Sequence, residues 1–111
     1  MILVAHVGSG AAGERVCRPS PLGNPFSHRP SRFEVIEVGS RAEAIARYRT
    51  WLRARLEDPG SPQSREVARL LALYRARGHL ALLCYCYPLS CHAEVIRDLI
   101  HEKLKCDNLS P

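Results

Sequence analysis

A chain of 111 residues, 46% apolar and 24% charged, makes one ordinary globular domain, long enough to bury a core without disulfides or metal as a condition of folding. Its net charge of +5 comes mostly from arginine, which suits forked contacts with phosphate or carboxylate, so a phosphate-bearing partner is permitted. Five cysteines are an odd set with no secretory leader, so reduced thiols and a cytoplasmic setting are expected, and no apolar run approaches the roughly 20 residues of a membrane span.

Ile2 to Val7 is a short apolar, β-branched run ended by Gly8-Ser-Gly10, which predicts a buried strand and a turn. Gly8 to Arg32 is rich in Gly, Pro and Ser and lacks a sustained period; connections of that length are usually functional or mobile, and its middle is read as functional. Phe33 to Val38 reads as a second strand. Ser40-Arg-Ala-Glu43 is a capping box, followed by Ala44, Ile45, Tyr48, Trp51, Leu52 and Leu56 at helical spacing until Asp58-Pro-Gly-Ser-Pro62 stops the pattern. A second helix is predicted from about Ser64 to Arg77, with Gly78 left-handed after it. Leu80 to Cys86 is apolar on both alternating faces, as suits a central strand covered on either side. The last helix, from His92 to about Lys105, turns Val95, Ile96, Leu99, Ile100 and Leu104 inward, with a frayed tail after it.

Chemistry concentrates at the end of that strand. Cys84 and Cys86 share one face, while Cys91 and His92 stand where a short Pro-containing loop turns into a helix, so the four can converge. Three thiolates and an imidazole are an accepted zinc set, but the gaps of one and zero residues within each pair are tighter than structural sites prefer. Without metal, Cys91 at a helix start would have a lowered pKa and act as a nucleophile, with His92 as acid or base. The Cys-x5-Arg spacing to Arg97 resembles thiol phosphatases only in number, because the helix already includes Arg97. The plain alternative is packing: Cys84 and Cys86 as small hydrophobes, Cys17 and Cys106 as bystanders, and His6, His79 and His101 as structural residues.

The second candidate is Arg18-Pro-Ser-Pro-Leu-Gly-Asn-Pro-Phe26. Three prolines stiffen it, Gly23 is able to take a left-handed turn, and Asn24 before Pro25 is held extended. A stiff loop of this kind presents amides to a ring or a sugar; equally, it is a surface turn whose Phe26 plugs the core.

Both segments, together with Ser-Arg-x-Glu-Ala-Ile-x-x-Tyr-x-x-Trp-Leu at Ser40 to Leu52, resemble a small-protein family of bacteria and their phages known as domain of unknown function 4326. The resemblance spans about residues 16 to 100 and implies that Arg18, Gly23, Asn24, Pro25 and Phe26 match the family's loop, and Cys84, Cys86, Cys91 and His92 its cysteine–histidine motif. Tyr85 departs from the family's usual Trp, Cys17 is peculiar to this chain, and the part before Arg15 carries no recognisable motif.

The expected fold is a small three-layer α/β domain, with a short, mostly parallel sheet of three or four strands and helices on its faces. Two distant loops should meet at the sheet's carboxyl edge. The expected function is binding of, and action on, a nucleotide- or nucleoside-like ligand, with Gly23, Asn24 and loop amides holding it, Arg18 and Arg41 on phosphate, and Cys91 and His92 at the reacting centre. The competing class is a non-catalytic module stabilised by zinc on Cys84, Cys86, Cys91 and His92. It would bind nucleic acid, through an Arg-rich surface, or a protein partner; the bland reading makes Arg41, Arg47, Arg49, Arg53 and Arg55 one solvated helix face. A third class is an accessory protein that blocks a host enzyme. Oligomeric state is left open by the sequence.

Overall fold

Two firmly capped helices set the frame. Residues 1–29, 33, 35–85 and 91–109 are described by the computed structural model, with side chains in the last helix as far as Lys105. Helix α1, Arg41–Leu56, begins at Ser40, whose Oγ accepts the Glu43 amide at 3.1 Å. The Glu43 carboxylate reaches one residue further back than a capping box requires and accepts the Gly39 amide at 3.0 Å. Helix α2, Pro62–Arg77, starts two residues ahead of the sequence expectation, because Pro62 not only ends the preceding turn but occupies the first helical position, where its missing N–H costs nothing. Ser61 caps it through the Ser64 amide, and Gly78 closes it at φ 77°.

The main sheet is wholly parallel. Strand β5, Leu80–Cys84, lies between β1, Ile2–His6, and β2, Glu14–Arg15, with Ile2 opposite Leu80, His6 opposite Cys84 and Arg15 opposite Leu83. The α1–α2 pair forms the crossover that carries the chain from the β2 side back into the centre, and Arg69 of α2 holds the edge strand through Glu14 at 2.7 Å. A second parallel pair joins β3, Phe26–Ser27, to β4, Ile36–Glu37. Helix α3, His92–Leu109, follows β5 and extends past Lys105 into the segment expected to fray.

The α/β class, the single small domain and the short parallel sheet are as the sequence predicts. Its two faces are covered unequally. Ile2, Leu80, Leu82 and Cys84 enter one core cluster with Tyr48 and Leu52 of α1, Val67, Leu70 and Leu71 of α2, and Val95, Ile96, Leu99 and Ile100 of α3. On the alternate face Leu83 is buried but stands outside that cluster, and Leu3 is 52% exposed. The expected strand over Phe33 to Val38 is reduced to Ile36–Glu37, and two strands arise inside the stretch expected to be irregular. Leu82→Ala is therefore expected to cost about 2–5 kcal/mol in urea denaturation, whereas Leu3→Ala should stay within roughly 1 kcal/mol.

Candidate functional site

The chain leaves β2 at Val16 and enters the Pro-rich loop, while seven residues separate the end of neighbouring β5 from the start of α3, so both candidate segments start from the carboxyl edge of one sheet. The loop is built from two successive turns, with the Ser20 amide bonded to the Cys17 carbonyl at 2.9 Å and the Gly23 amide to the Ser20 carbonyl at 2.8 Å; the Arg18–Pro19 peptide is cis. Surrounding elements hold it through its own backbone. The Val16 amide bonds to Leu83, the Val16 carbonyl accepts from His92 Nε2 at 2.6 Å, and the Leu22 carbonyl accepts from the Tyr48 hydroxyl at 2.6 Å. Gln63 donates to the Pro21 carbonyl at 3.0 Å, and the Ile36 amide to that of Pro25 at 2.7 Å.

An open cavity of about 300 Å³ lies against this loop, lined among others by Arg18, Gly23, Asn24, Phe33, Trp51 and Gln63. Arg18 has its Nη1 buried with no hydrogen-bond partner among the described residues. The Asn24 amide is engaged at both ends: Nδ2 donates to the Ala44 carbonyl at 3.3 Å and Oδ1 accepts the Phe26 amide at 2.9 Å. Asn24 thus shapes the cavity wall and holds the turn, rather than standing free to read a ligand as expected. Gly23 does not adopt a left-handed conformation; positive φ is confined to Gly10 and Gly78 among the described glycines. Glycine is needed at 23 because a Cβ there would lie 2.9 Å from Arg18 Cα and Cγ. Arg41 opens α1 and is not one of the cavity's lining residues. Phe26 packs against the core, as the plug reading expects.

At the other segment, Cys84 and Cys91 are 0% and 2% exposed, with their sulfurs 2.9 Å apart. Cys84 also packs in the core cluster, as does Cys91. His92 is buried, and its Nε2 must carry the hydrogen, since the Val16 carbonyl can only accept. Burial pushes the imidazole below its ordinary range, and the nearby Arg18 charge adds to this against the opposing pull of the Val16 carbonyl. Its ring meets that of Tyr48 edge-on at 5.2 Å, and Tyr48 leans on Trp51 at 5.7 Å. Burial, helped by Cys91, raises the Tyr48 phenol well above its usual value, keeping it a donor.

A tetrahedral zinc ion with bonds of about 2.3 Å to each sulfur would hold two thiolates farther apart than this pair, and His92 has committed Nε2 to a carbonyl. Among the described residues no three Cys, His, Asp or Glu side chains gather as a metal set; Cys86 lies outside the described residues, as does the Cys106 side chain. His6 is structural, its Nδ1 accepting the Gly8 amide at 2.8 Å. Along α1, Arg49 pairs with Asp98 at 3.0 Å, Arg53 grips Glu102 with two bonds, and Arg47 meets Glu43. No described helix is long and apolar enough to cross a membrane.

Fold and site together define a small parallel-sheet α/β domain with a clamped Pro-rich loop and a buried thiol pair at its carboxyl edge. The profile described as Domain of unknown function (DUF4326) matches residues 6–102, and the chain belongs to that family. The match starts ahead of Arg15, in the part whose sequence carried no recognisable motif. Neither the curated proteins nor the solved structures contain a match.

Two outcomes test this geometry. Gly23→Ala should destabilise the fold by about 1–3 kcal/mol, since backbone at Arg18 must give way, while Gly39→Ala, with open space around it, should not. For His92, the unfolded chain takes up its proton near 6.5 while the folded chain resists, so this contribution to stability is full above that pH and is lost as pH falls below it. Denaturation midpoints from about pH 8 to about pH 5 should fall more steeply for the parent than for His92→Gln, by at most about 1.4 kcal/mol per pH unit. Parallel curves would refute the buried neutral imidazole.

Proposed function

We propose that this protein binds a nucleotide- or nucleoside-like ligand in the cavity beside the Pro-rich loop. The observation that carries the reading is Arg18, which lines a cavity that also offers Trp51 and Phe33 and whose buried Nη1 has no acceptor among the described residues. A buried unpaired guanidinium nitrogen calls for an anion, and phosphate oxygens match its fork. The aromatic rings supply a surface on which a base stacks. The role is binding rather than catalysis, because neither Cys91 nor His92 lines the cavity and both are held in the interior. A cytoplasmic setting, where thiols stay reduced, belongs to the same reading.

The rival reading, a zinc-stabilised module for nucleic acid or a protein, has less support. Much of the α1 arginine face is already neutralised by carboxylates of α3 and of α1 itself. Trp51 is the only tryptophan, so its fluorescence reports directly on the cavity. Titration with adenosine, AMP, GMP and UMP is expected to change that signal saturably for at least one nucleotide. Arg18→Ala should weaken nucleotide binding about tenfold or more while sparing any nucleoside binding. An unchanged signal across the panel, with flat calorimetry, would remove the proposal.

A further inference from the structure

We propose that Cys84 and Cys91 are a redox-active pair that closes a reversible intramolecular disulfide when the protein meets hydrogen peroxide. Their sulfurs are 2.9 Å apart, about 0.9 Å beyond the roughly 2.05 Å of a disulfide bond and well inside the resting contact of two sulfurs. Both anchors sit at the ends of regular structure: Cys84 ends the central strand, and Cys91 immediately precedes α3. Little movement is needed, and with only six residues between them in the sequence each sulfur is held at high effective concentration for the other.

Cys91, at the amino end of α3 where the helix dipole favours a thiolate, attacks first. Its sulfur takes one peroxide oxygen as the O–O bond breaks, giving a sulfenic acid, while the departing oxygen leaves as water. Cys84 then attacks that sulfur, the S–O bond breaks, and the second oxygen leaves as water. In total the two thiols give up two protons and two electrons, and peroxide is reduced to two waters. The bond would sit one residue from His92, and so beside the contacts that tie α3 to Val16 and Tyr48.

This inference is independent of the ligand reading and is tested without any ligand. Reduced protein treated with peroxide should lose about 2 Da by intact mass spectrometry, and dithiothreitol should restore it. Trypsin cannot separate the sulfurs, since no Lys or Arg lies between Arg77 and Arg97, but chymotrypsin can cut after Tyr85 and Leu89 and isolate each cysteine. The expected map joins Cys84 to Cys91 in the parent protein, so it does not depend on a core variant that folds. Cys86→Ser and Cys17→Ser should keep the linkage; Cys84→Ala and Cys91→Ala, where folded, should lose it. No mass loss, a linkage through Cys86 or Cys17, or one zinc per chain that disappears in Cys84→Ala would overturn the pair.

Discussion

Tyr48 is the point through which the rest of the site is held. It is fully buried on the inner face of α1, donates its hydroxyl to the Leu22 carbonyl, receives the edge of His92 on its ring and leans on Trp51. A buried phenol must find an acceptor, and here the acceptor is a backbone carbonyl of a loop 26 residues earlier in the chain. The contact therefore does two things at once: it satisfies a core polar atom and fixes where the loop runs. Because desolvation keeps the phenol protonated, the bond remains a donor–acceptor pair across the working range of pH.

The same helix stripe does this work at successive turns. Ala44 offers its carbonyl to Asn24, Tyr48 its hydroxyl to Leu22, and Trp51 its ring to the cavity, at the spacing that brings residues three and four apart onto one face. His92 answers from α3 by donating to Val16 at the start of the loop. Seen this way, the imidazole is a strut between α3 and the edge of β2. Its one assigned hydrogen bond is to a carbonyl, its protonation is disfavoured by burial and by Arg18, and the chemistry available at the segment passes to the sulfur pair beside it.

Much of the fold was legible because its elements obey strong local rules. Ser40 and Gly78 mark helix ends, and the continuous apolar run in Leu80 to Cys84 marks the central strand. The edge strand Glu14–Arg15 and the pair Phe26–Ser27 with Ile36–Glu37 were not legible, since two residues carry no period and pairing with a distant strand decides them. Of the site, the two segments and their meeting place at the carboxyl edge followed from residue types. Their internal roles did not. Asn24 is bound on both ends of its amide, Gly23 answers to the proximity of Arg18 rather than to a left-handed φ, and Arg41 stands apart from the cavity. Trp51 and Gln63 joined the cavity unforeseen. Trp51 reads from sequence as helix core, and only the crossing of α1 and α2 over the loop shows that both side chains reach the same wall.

The clamped loop also explains why Arg18 is suited to the proposed anion contact. A surface arginine normally escapes an unfavourable environment by rotating its long side chain into water. Here its backbone lies within a turn closed by Ser20 and Cys17, its Cα is in close contact with Gly23, and its neighbours on the loop are tied to β5, α1, α2, α3 and β4. Among the described residues its Nη1 has no partner, and a fixed, desolvated donor attracts an acceptor more strongly than a mobile one because less order is lost on binding. The same charge adds a smaller push to the burial that lowers the His92 imidazole below its ordinary range. Under the proposed reading, an anion seated on Arg18 would offset that smaller push and leave burial as the cause that disfavours the charged imidazole.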